Sequence, residues 1–403
     1  VLTMTKKLYD NTSMLNSCQA IVTACTPKDD KFLIELDQTV FFPEGGGQLS
    51  DRGKINEALV SYVSEKEGHI YHHCDKELAV GQEVTAELDW NVRLDRMQQH
   101  CGEHILSWAC YKLYEANNIG FHMHEDLVTI DLDKDLTESE LLAAELLTNE
   151  IIWANKPVRV DYMDSTEAVK MKDQMRKFNE KLTGLLRIVT VETSDCCTCC
   201  GTHPPFAGMV GVVKILRHEK HKTGCRVEFL CGKRALLDMD KKFAALYETS
   251  RGLSVKPEEV PQAVNKLKDE LDRIKLEAQQ KMLNVMVENL HKAYAEAPLF
   301  SDGTKLVVLP MEGCDGKDMK ALLATASELE GAVSILCAAQ SPRLAYAVTI
   351  GKNVNADARI YMKQLNEAFS GRGGGKPDCT QGGADYVSDW ALKLEEIKLA
   401  ILK

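Results

Sequence analysis

The chain has 403 residues, a net charge of −11 from 60 acidic and 49 basic side chains, and 44% hydrophobic content. That is the composition of a soluble globular protein with room for two or three ordinary domains. It excludes bulk positive charge as a route to nucleic acid, leaving only local basic surfaces, and no apolar run approaches the roughly 20 residues that span a bilayer.

The opening "VLTMTKKLYDN" lacks an apolar signal core, so cytoplasmic residence is expected, and Val1–Thr3 ahead of Met4 read as added rather than native residues. Residues 1–90 carry short β-rich runs, "FLIELDQTVFF", "ALVSYVSE", "GHIYHHCD" and "EVTAELDW", separated by turn signals that include "PEGGGQLSDRG". A small barrel or twisted sheet is expected there. From Asn91 the spacing becomes helical, with apolar residues at 94, 97, 101, 105, 108 and 109. The strand-like "LVTIDL" follows, then a helix through "ESELLAAELLTNEIIWAN", then the strands "VRVDYM", "LRIVTVE", "GVVKIL" and "RVEFLCG". This predicts an α+β domain with helices laid on an antiparallel sheet.

Beyond Pro257, the residues Val260, Val264, Leu267, Leu271, Ile274 and Ala278 step by alternating fours and threes among charged neighbours. That is a heptad seam, serving either an intermolecular coiled coil or an arm packed on its own chain. The last hundred residues alternate strand and helix as a small α/β domain. They end with "GRGGGKPDCTQGGA" (371–384) and a closing helix. Two basic stretches, Lys170–Lys177 and Lys214–Lys222, read most simply as solvated faces.

Chemistry concentrates in two places. His100 and His104 lie four apart on a predicted helix, so both rings project from one face and can chelate zinc at about 2 Å. Cys199 and His203 are also four apart, across a glycine-containing turn, within "DCCTCCGTHPP". Together they make a complete tetrahedral set. A four-thiolate cluster of Cys196, Cys197, Cys199 and Cys200 competes with it. So does a metallopeptidase reading of His100–Glu103–His104, with Glu103 as general base and a third ligand downstream. The peptidase reading leaves the cysteine–histidine turn unexplained. Fourteen cysteines, four of them crowded into 196–200, suit a metal site or reduced thiols better than a disulfide framework.

"FFPEGGGQLSDRG" (41–53), "RMQQHCGEHIL" (96–106), "GFHMHEDLVTIDL" (120–132) and "CCGTHPPFAGMVGVVKIL" (199–216) occur in one order. Together they resemble the editing domain of alanyl-tRNA synthetase, and "GRGGGKPDCTQGGA" resembles the glycine-rich motif of that synthetase's C-terminal domain. With no aminoacylation core ahead of it, the chain is similar to the free-standing alanyl-tRNA editing proteins of the long AlaX form. The resemblance implies a β-barrel-like glycine-rich-motif domain at 1–90 and a zinc-binding editing domain at 91–245. It also implies a helical linker at 246–295 and a tRNA-binding, dimerising C-terminal domain at 296–403.

The implied activity is hydrolysis of mischarged tRNA(Ala), chiefly Ser-tRNA(Ala), with Gly-tRNA(Ala) as a second substrate. A binding-only tRNA module is the alternative. The implied zinc ligands are His100, His104, Cys199 and His203, with Glu103 an accessory residue. Four protein ligands leave little room for a catalytic water. The zinc is therefore expected either to lose one ligand or to serve recognition. Telling seryl from alanyl requires a polar contact to the extra hydroxyl, from the zinc, Gln48 or a nearby histidine. Gln48 ends a glycine loop that allows close approach to a ligand, or else it satisfies that loop's own backbone. Thr202 either supports a ligand or caps its turn. His122 and His124 flank a strand start, where a surface or satisfied histidine is expected, and His124 departs from the family pattern. Arg372 and Lys376 are the implied phosphate partners at the tRNA elbow, and a homodimer through the C-terminal domain is expected.

Overall fold

The computed structural model describes residues 4–178, 183–314 and 316–403; Val1–Thr3 lie outside them. The fold is mixed α and β, in two compact units, Val1–Thr249 and Ser250–Lys403. Among the described residues, no helix is long and apolar enough to cross a membrane.

In the first unit, β1 (Lys6–Lys7) pairs with β4 (Gln38–Thr39). β2 (Ser17–Lys28), β3 (Lys31–Leu36), β5 (Gly53–Ile55), β6 (Ala58–Lys66), β7 (His69–Cys74) and β8 (Glu83–Leu88) close into a barrel in the order β2-β3-β7-β6-β5-β8. Alternation along these strands turns Val22, Ile34, Leu36, Val60, Val63, Ile70 and Val84 into one core. The run "FLIELDQTVFF" forms two strands rather than one. Its Val40–Phe42 segment leaves the ladder, and the Phe42 N–H donates instead to Asp51 at 2.7 Å.

Asp89 caps the next element, α1 (Trp90–Tyr114), by accepting from the N–H groups of Asn91 and Val92, and Glu115 ends it in the left-handed conformation. Most of α1 is buried. Met97, Cys101, Ile105 and Leu106 join the apolar core, while Arg93, Gln99, His100, Glu103 and His104 are buried as polar groups. Arg93 is the clamp. Its guanidinium holds Asp51 and donates to the carbonyls of Ser13 (2.8 Å) and Val40 (2.6 Å). A buried pair of this kind is poor evidence for stability, but it fixes the loop after Phe42 against α1.

β9 (Asn118–Met123), β10 (Val128–Leu132), β14 (Val213–His221) and β15 (Gly224–Cys231) form an antiparallel sheet ordered β14-β15-β10-β9. Helix α2 (Glu138–Trp153) is started by a Thr137–Glu140 capping box and packs on α1 and β14. The expected single sheet is instead two. β11 (Val158–Asp164), β12 (Leu185–Val191) and β13 (Cys196–Thr198) form a separate sheet and, with α3 (Ser165–Lys170), enclose a small core of Ala168, Met175, Leu186 and Ile188. The first sheet is buried on the main core instead. Helix α4 (Gly232–Leu253) follows.

The second unit takes in the end of α4 and continues with α5 (Val260–Ala295), 36 residues long. Its C-terminal part is anchored by Met286 and Leu290, whereas Val264, Leu267, Leu271 and Ile274 are about half exposed. The remainder is β16 (Lys305–Glu312), α6 (Gly316–Ser327), β17 (Ala332–Gln340), β18 (Arg343–Ile350), α7 (Ala358–Phe369), β19 (Arg372–Gly375), β20 (Cys379–Asp385) and α8 (Trp390–Ile401). β16 and β17 are parallel around α6, and the sheet order is β16-β17-β18-β20-β19. The glycine-rich motif is thus an edge hairpin rather than a loop.

Candidate metal centre

The turn Gly45–Gln48 closes through reciprocal backbone bonds of 3.1 and 3.0 Å, with Gly46 and Gly47 both at positive φ. Gly47 has a second reason to be glycine: a Cβ there would lie 2.5 Å from the Phe121 ring. The turn delivers Gln48 into a fully buried position beside α1. Its Oε1 accepts from His100 Nδ1 at 2.8 Å and from the Thr202 N–H at 3.0 Å, while its Nε2 donates to Thr202 Oγ1 at 2.8 Å. Gln48 and Thr202 therefore bind each other and His100, and the Gln48 carbonyl oxygen has no spare role as a hydroxyl reader.

β13 leads into the second half of the site. Arg187 donates from Nη1 to the carbonyls of Cys199 and Gly201, both at 2.8 Å, and this bends the turn. At Gly201 a Cβ would stand 2.2 Å from His100 Cε1, so only glycine allows the approach. Cys199 Sγ then lies 3.3 Å from His100 Nε2 and 3.4 Å from His203 Nε2. The ligand atoms of His100, His104, Cys199 and His203 all fall within 4.8 Å of one another. Burial alone would raise the Cys199 thiol, but the facing imidazoles of His100, His104 and His203 hold it well below its ordinary range, toward the thiolate that ligates metals.

His100 gives its Nδ1 to Gln48 and His104 gives its Nδ1 to Asp195, at 2.9 Å, so each leaves Nε2 for a ligand. His203 differs. Burial lowers its pKa to about 3, and its Nδ1 has no protein partner among the described residues. Three imidazoles, two of them with anchored tautomers, and a thiolate converge as a set that fits zinc.

Of the other cysteines, Cys197 lies 3.4 Å from His104 Nδ1, on the ring edge that faces Asp195, and Cys196 meets Thr190 Oγ1. Cys200 is exposed beside Gly46. Each candidate metal group among the described residues holds a single cysteine, so the four thiols do not gather on one point. Glu103 is buried with Oε1 accepting from Ser107 Oγ and Asn118 Nδ2, both at 2.6 Å, and its Oε2 stands 4.0 Å from His104 Nε2. These groups open on a cavity of about 510 Å³ lined also by Phe121, His122 and Lys177. His122 is half exposed, 3.8 Å from Asp131, and His124 is exposed; both border a smaller neighbouring cavity.

Arg372 and Lys376 lie in the second unit, exposed on the edge hairpin. Arg372 borders a cavity of about 910 Å³, with Arg343 on the same wall.

Three contributors were not assigned from sequence. Asp195 is the first residue of the quoted "DCCTCCGTHPP". Arg176 sits in a basic stretch read as solvated. Arg187 carries no local signal.

Residues 4–92 match the tRNA synthetases class II (A) family, and residues 186–228 match the threonyl and alanyl tRNA synthetase second additional domain. The first match takes in the barrel, and the second takes in the turn that carries Cys199 and His203. More particularly, the chain is 29% identical over 400 residues to the alanyl-tRNA editing protein AlaX-L of Pyrococcus horikoshii, covering 94% of both chains. It is also 29% identical to the alanine–tRNA ligase of Pyrococcus abyssi, over 90% of this chain and 40% of the ligase. For the Methanosarcina barkeri ligase the figures are 31%, 87% and 40%. The chain spans about two fifths of the ligases it matches. The resemblance to alanyl-tRNA editing proteins thus extends over nearly its whole length.

Proposed function

We propose that this protein is a trans-editing hydrolase that deacylates mischarged tRNA(Ala), chiefly Ser-tRNA(Ala) and secondarily Gly-tRNA(Ala), at a zinc site formed by His100, His104, Cys199 and His203. The observation that carries the proposal is the convergence of these four side chains, from α1 and from the turn after β13, on one buried point. The end-to-end likeness to an alanyl-tRNA editing protein supports the substrate class.

An aminoacyl ester is already activated, so the site has mainly to position water and stabilise the developing oxyanion. Bound zinc would supply Lewis-acid polarisation of the ester carbonyl if one of the four protein ligands were released, and otherwise a contact that reads the seryl hydroxyl. Glu103, fixed through Oε1 by Ser107 and Asn118, turns Oε2 toward His104 and is placed to hold the attacking water and take its proton. Water adds to the ester carbon, the bond to the terminal ribose oxygen breaks, and that oxygen recovers a proton, releasing free amino acid and uncharged tRNA. Gln48 and Thr202 serve as supports of the His100 ring and the ligand turn.

The reading divides the chain into the barrel at 1–90, the editing domain at 91–245, the helical linker at 246–295 and the tRNA-binding domain at 296–403. Arg372 and Lys376 contact tRNA phosphate. The exposed seam of Val264, Leu267, Leu271 and Ile274 supports pairing with a second copy, and the reaction belongs in the cytoplasm.

The test is deacylation of Ser-, Gly- and Ala-tRNA(Ala), with and without a zinc chelator. Loss of seryl and glycyl charge with the alanyl ester spared is the expected result. Equal attack on Ala-tRNA(Ala) overturns proofreading, and binding without turnover favours a tRNA-binding module.

A further inference from the structure

Asp195 is fully buried, and its carboxylate meets His104, Arg176 and Cys197. Its Oδ2 lies 2.9 Å from His104 Nδ1. Arg176 grips it from the other side, with Nε 2.7 Å from Oδ1 and Nη2 3.1 Å from Oδ2. Arg176 is itself tied in, because its N–H donates to the Cys196 carbonyl at 2.9 Å and its side chain borders the cavity. The result is a buried line of guanidinium, carboxylate and imidazole that ends at the centre.

We infer that Asp195 is a positioning residue for His104. It accepts the Nδ1 proton, sets the ring rotation and tautomer, and so leaves Nε2 as the metal-binding nitrogen, while Arg176 holds the carboxylate in place and in charge. This rests on the zinc reading above. A carboxylate behind a ligating histidine raises the ring's donor strength and removes its rotational freedom. His100 has the same arrangement with a neutral partner, Gln48, so the two helical histidines are held by unlike groups.

The competing arrangement makes Asp195 a ligand, together with His104 Nδ1 and Cys197, whose Sγ lies 3.5 Å from Oδ2. Two features oppose it. Both Asp195 oxygens already accept from Arg176, so a cation there would be bound against a guanidinium at hydrogen-bond distance. Ligation through Nδ1 would also turn the His104 ring's anchored edge into its metal edge and draw it away from Cys199 and His203.

The experiment titrates metal-free protein with Co²⁺ against a competing chelator and reads the thiolate charge-transfer and d–d bands. Wild type should take one ion in a tetrahedral site. Asp195→Asn should bind it about 10- to 100-fold more weakly while keeping the thiolate band, since Cys199 is untouched. Unchanged affinity in folded Asp195→Asn overturns the inference, and so does a variant whose thermal midpoint falls while its affinity stays the same. Absence of cobalt binding by wild type overturns the zinc reading instead. Should the variant fail to fold, ¹⁵N-histidine NMR of zinc-loaded wild type decides the matter. A His104 ring protonated at Nδ1 and ligated through Nε2 supports the inference; ligation through Nδ1 overturns it.

Discussion

The chain contains two glycine-rich stretches that look alike in sequence and fold in opposite ways. "GGGQ" closes as a tight turn whose last residue is wholly buried and bound to His100 and Thr202. "GRGGGKP" forms the solvent-facing edge of a sheet, with Arg372 and Lys376 exposed. In the first, absent side chains let a backbone come within contact distance of a ring. In the second, they let the two strands of the hairpin lie close against each other and against Met362, since a Cβ at Gly373 would stand 2.4 Å from Gly382 Cα and 2.8 Å from Met362 Sδ. Both sets of glycines permit close packing, but the first packs against Phe121 and brings Gln48 to His100, and the second packs within a sheet edge, so substitutions in the two regions should fail in different ways.

The sharpest division comes from Cys199→Ala. Removing the thiolate should leave the metal site with three imidazoles and lower deacylation by at least about 100-fold, with metal content by elemental analysis falling in parallel. A variant that deacylates normally without metal would break the contrast. Next is Gln48→Leu, which strips buried partners from His100 Nδ1 and the Thr202 N–H. Denaturant unfolding should show a loss of about 2–6 kcal/mol, at about 1–3 kcal/mol per orphaned group.

Acid should separate the regions further. His72 in the barrel is pushed down to about 4, by burial first, with Nδ1 against the Ile34 carbonyl and Nε2 against Thr39 Oγ1. Its folded pKa lies below its unfolded value of about 6.5, so its contribution is whole above that value. It drains away as pH falls from 6.5 to 4, by about 3 kcal/mol at pH 4. Unfolding followed against pH should show that slope, and His72→Leu should flatten it. The smallest effect belongs to the exposed hairpin. Arg372→Ala and Lys376→Ala should each weaken tRNA binding by roughly threefold, reduce the salt slope by about one and leave the metal content unchanged.

Much of the site was legible because its ligands sit at short spacings. His100 and His104 share a helix face, and Cys199 and His203 flank one turn, so local sequence exposes each half. What joins the halves was not legible. Asp195 stands in plain view before the cysteines, but an aspartate there gives no sign that it faces a histidine 91 positions away on α1. Arg176 was hidden in the opposite way, because a basic run reads as solvated until one member is found buried against a carboxylate. The fold shows the same limit. The mixed α and β character and the long helices follow from periodicity. The parting of β11–β13 from the larger sheet depends on a small separate core around Ile188 that no spacing reveals.

The links that complete the centre are also among the longest in the chain. Gln48 to Thr202 spans 154 positions, and Ser13 to the His203 carbonyl spans 190. Contacts so distant in sequence form after local helices and hairpins, because loop closure must come first. On the proposed zinc reading, a nascent chain that has built its barrel and α1 would offer only the His100–His104 pair, half of the ligand set. The fourfold set appears when the turn after β13 docks. On the proposed zinc reading, tight uptake would therefore wait for that docking, and the ion would be captured late in folding rather than seed it.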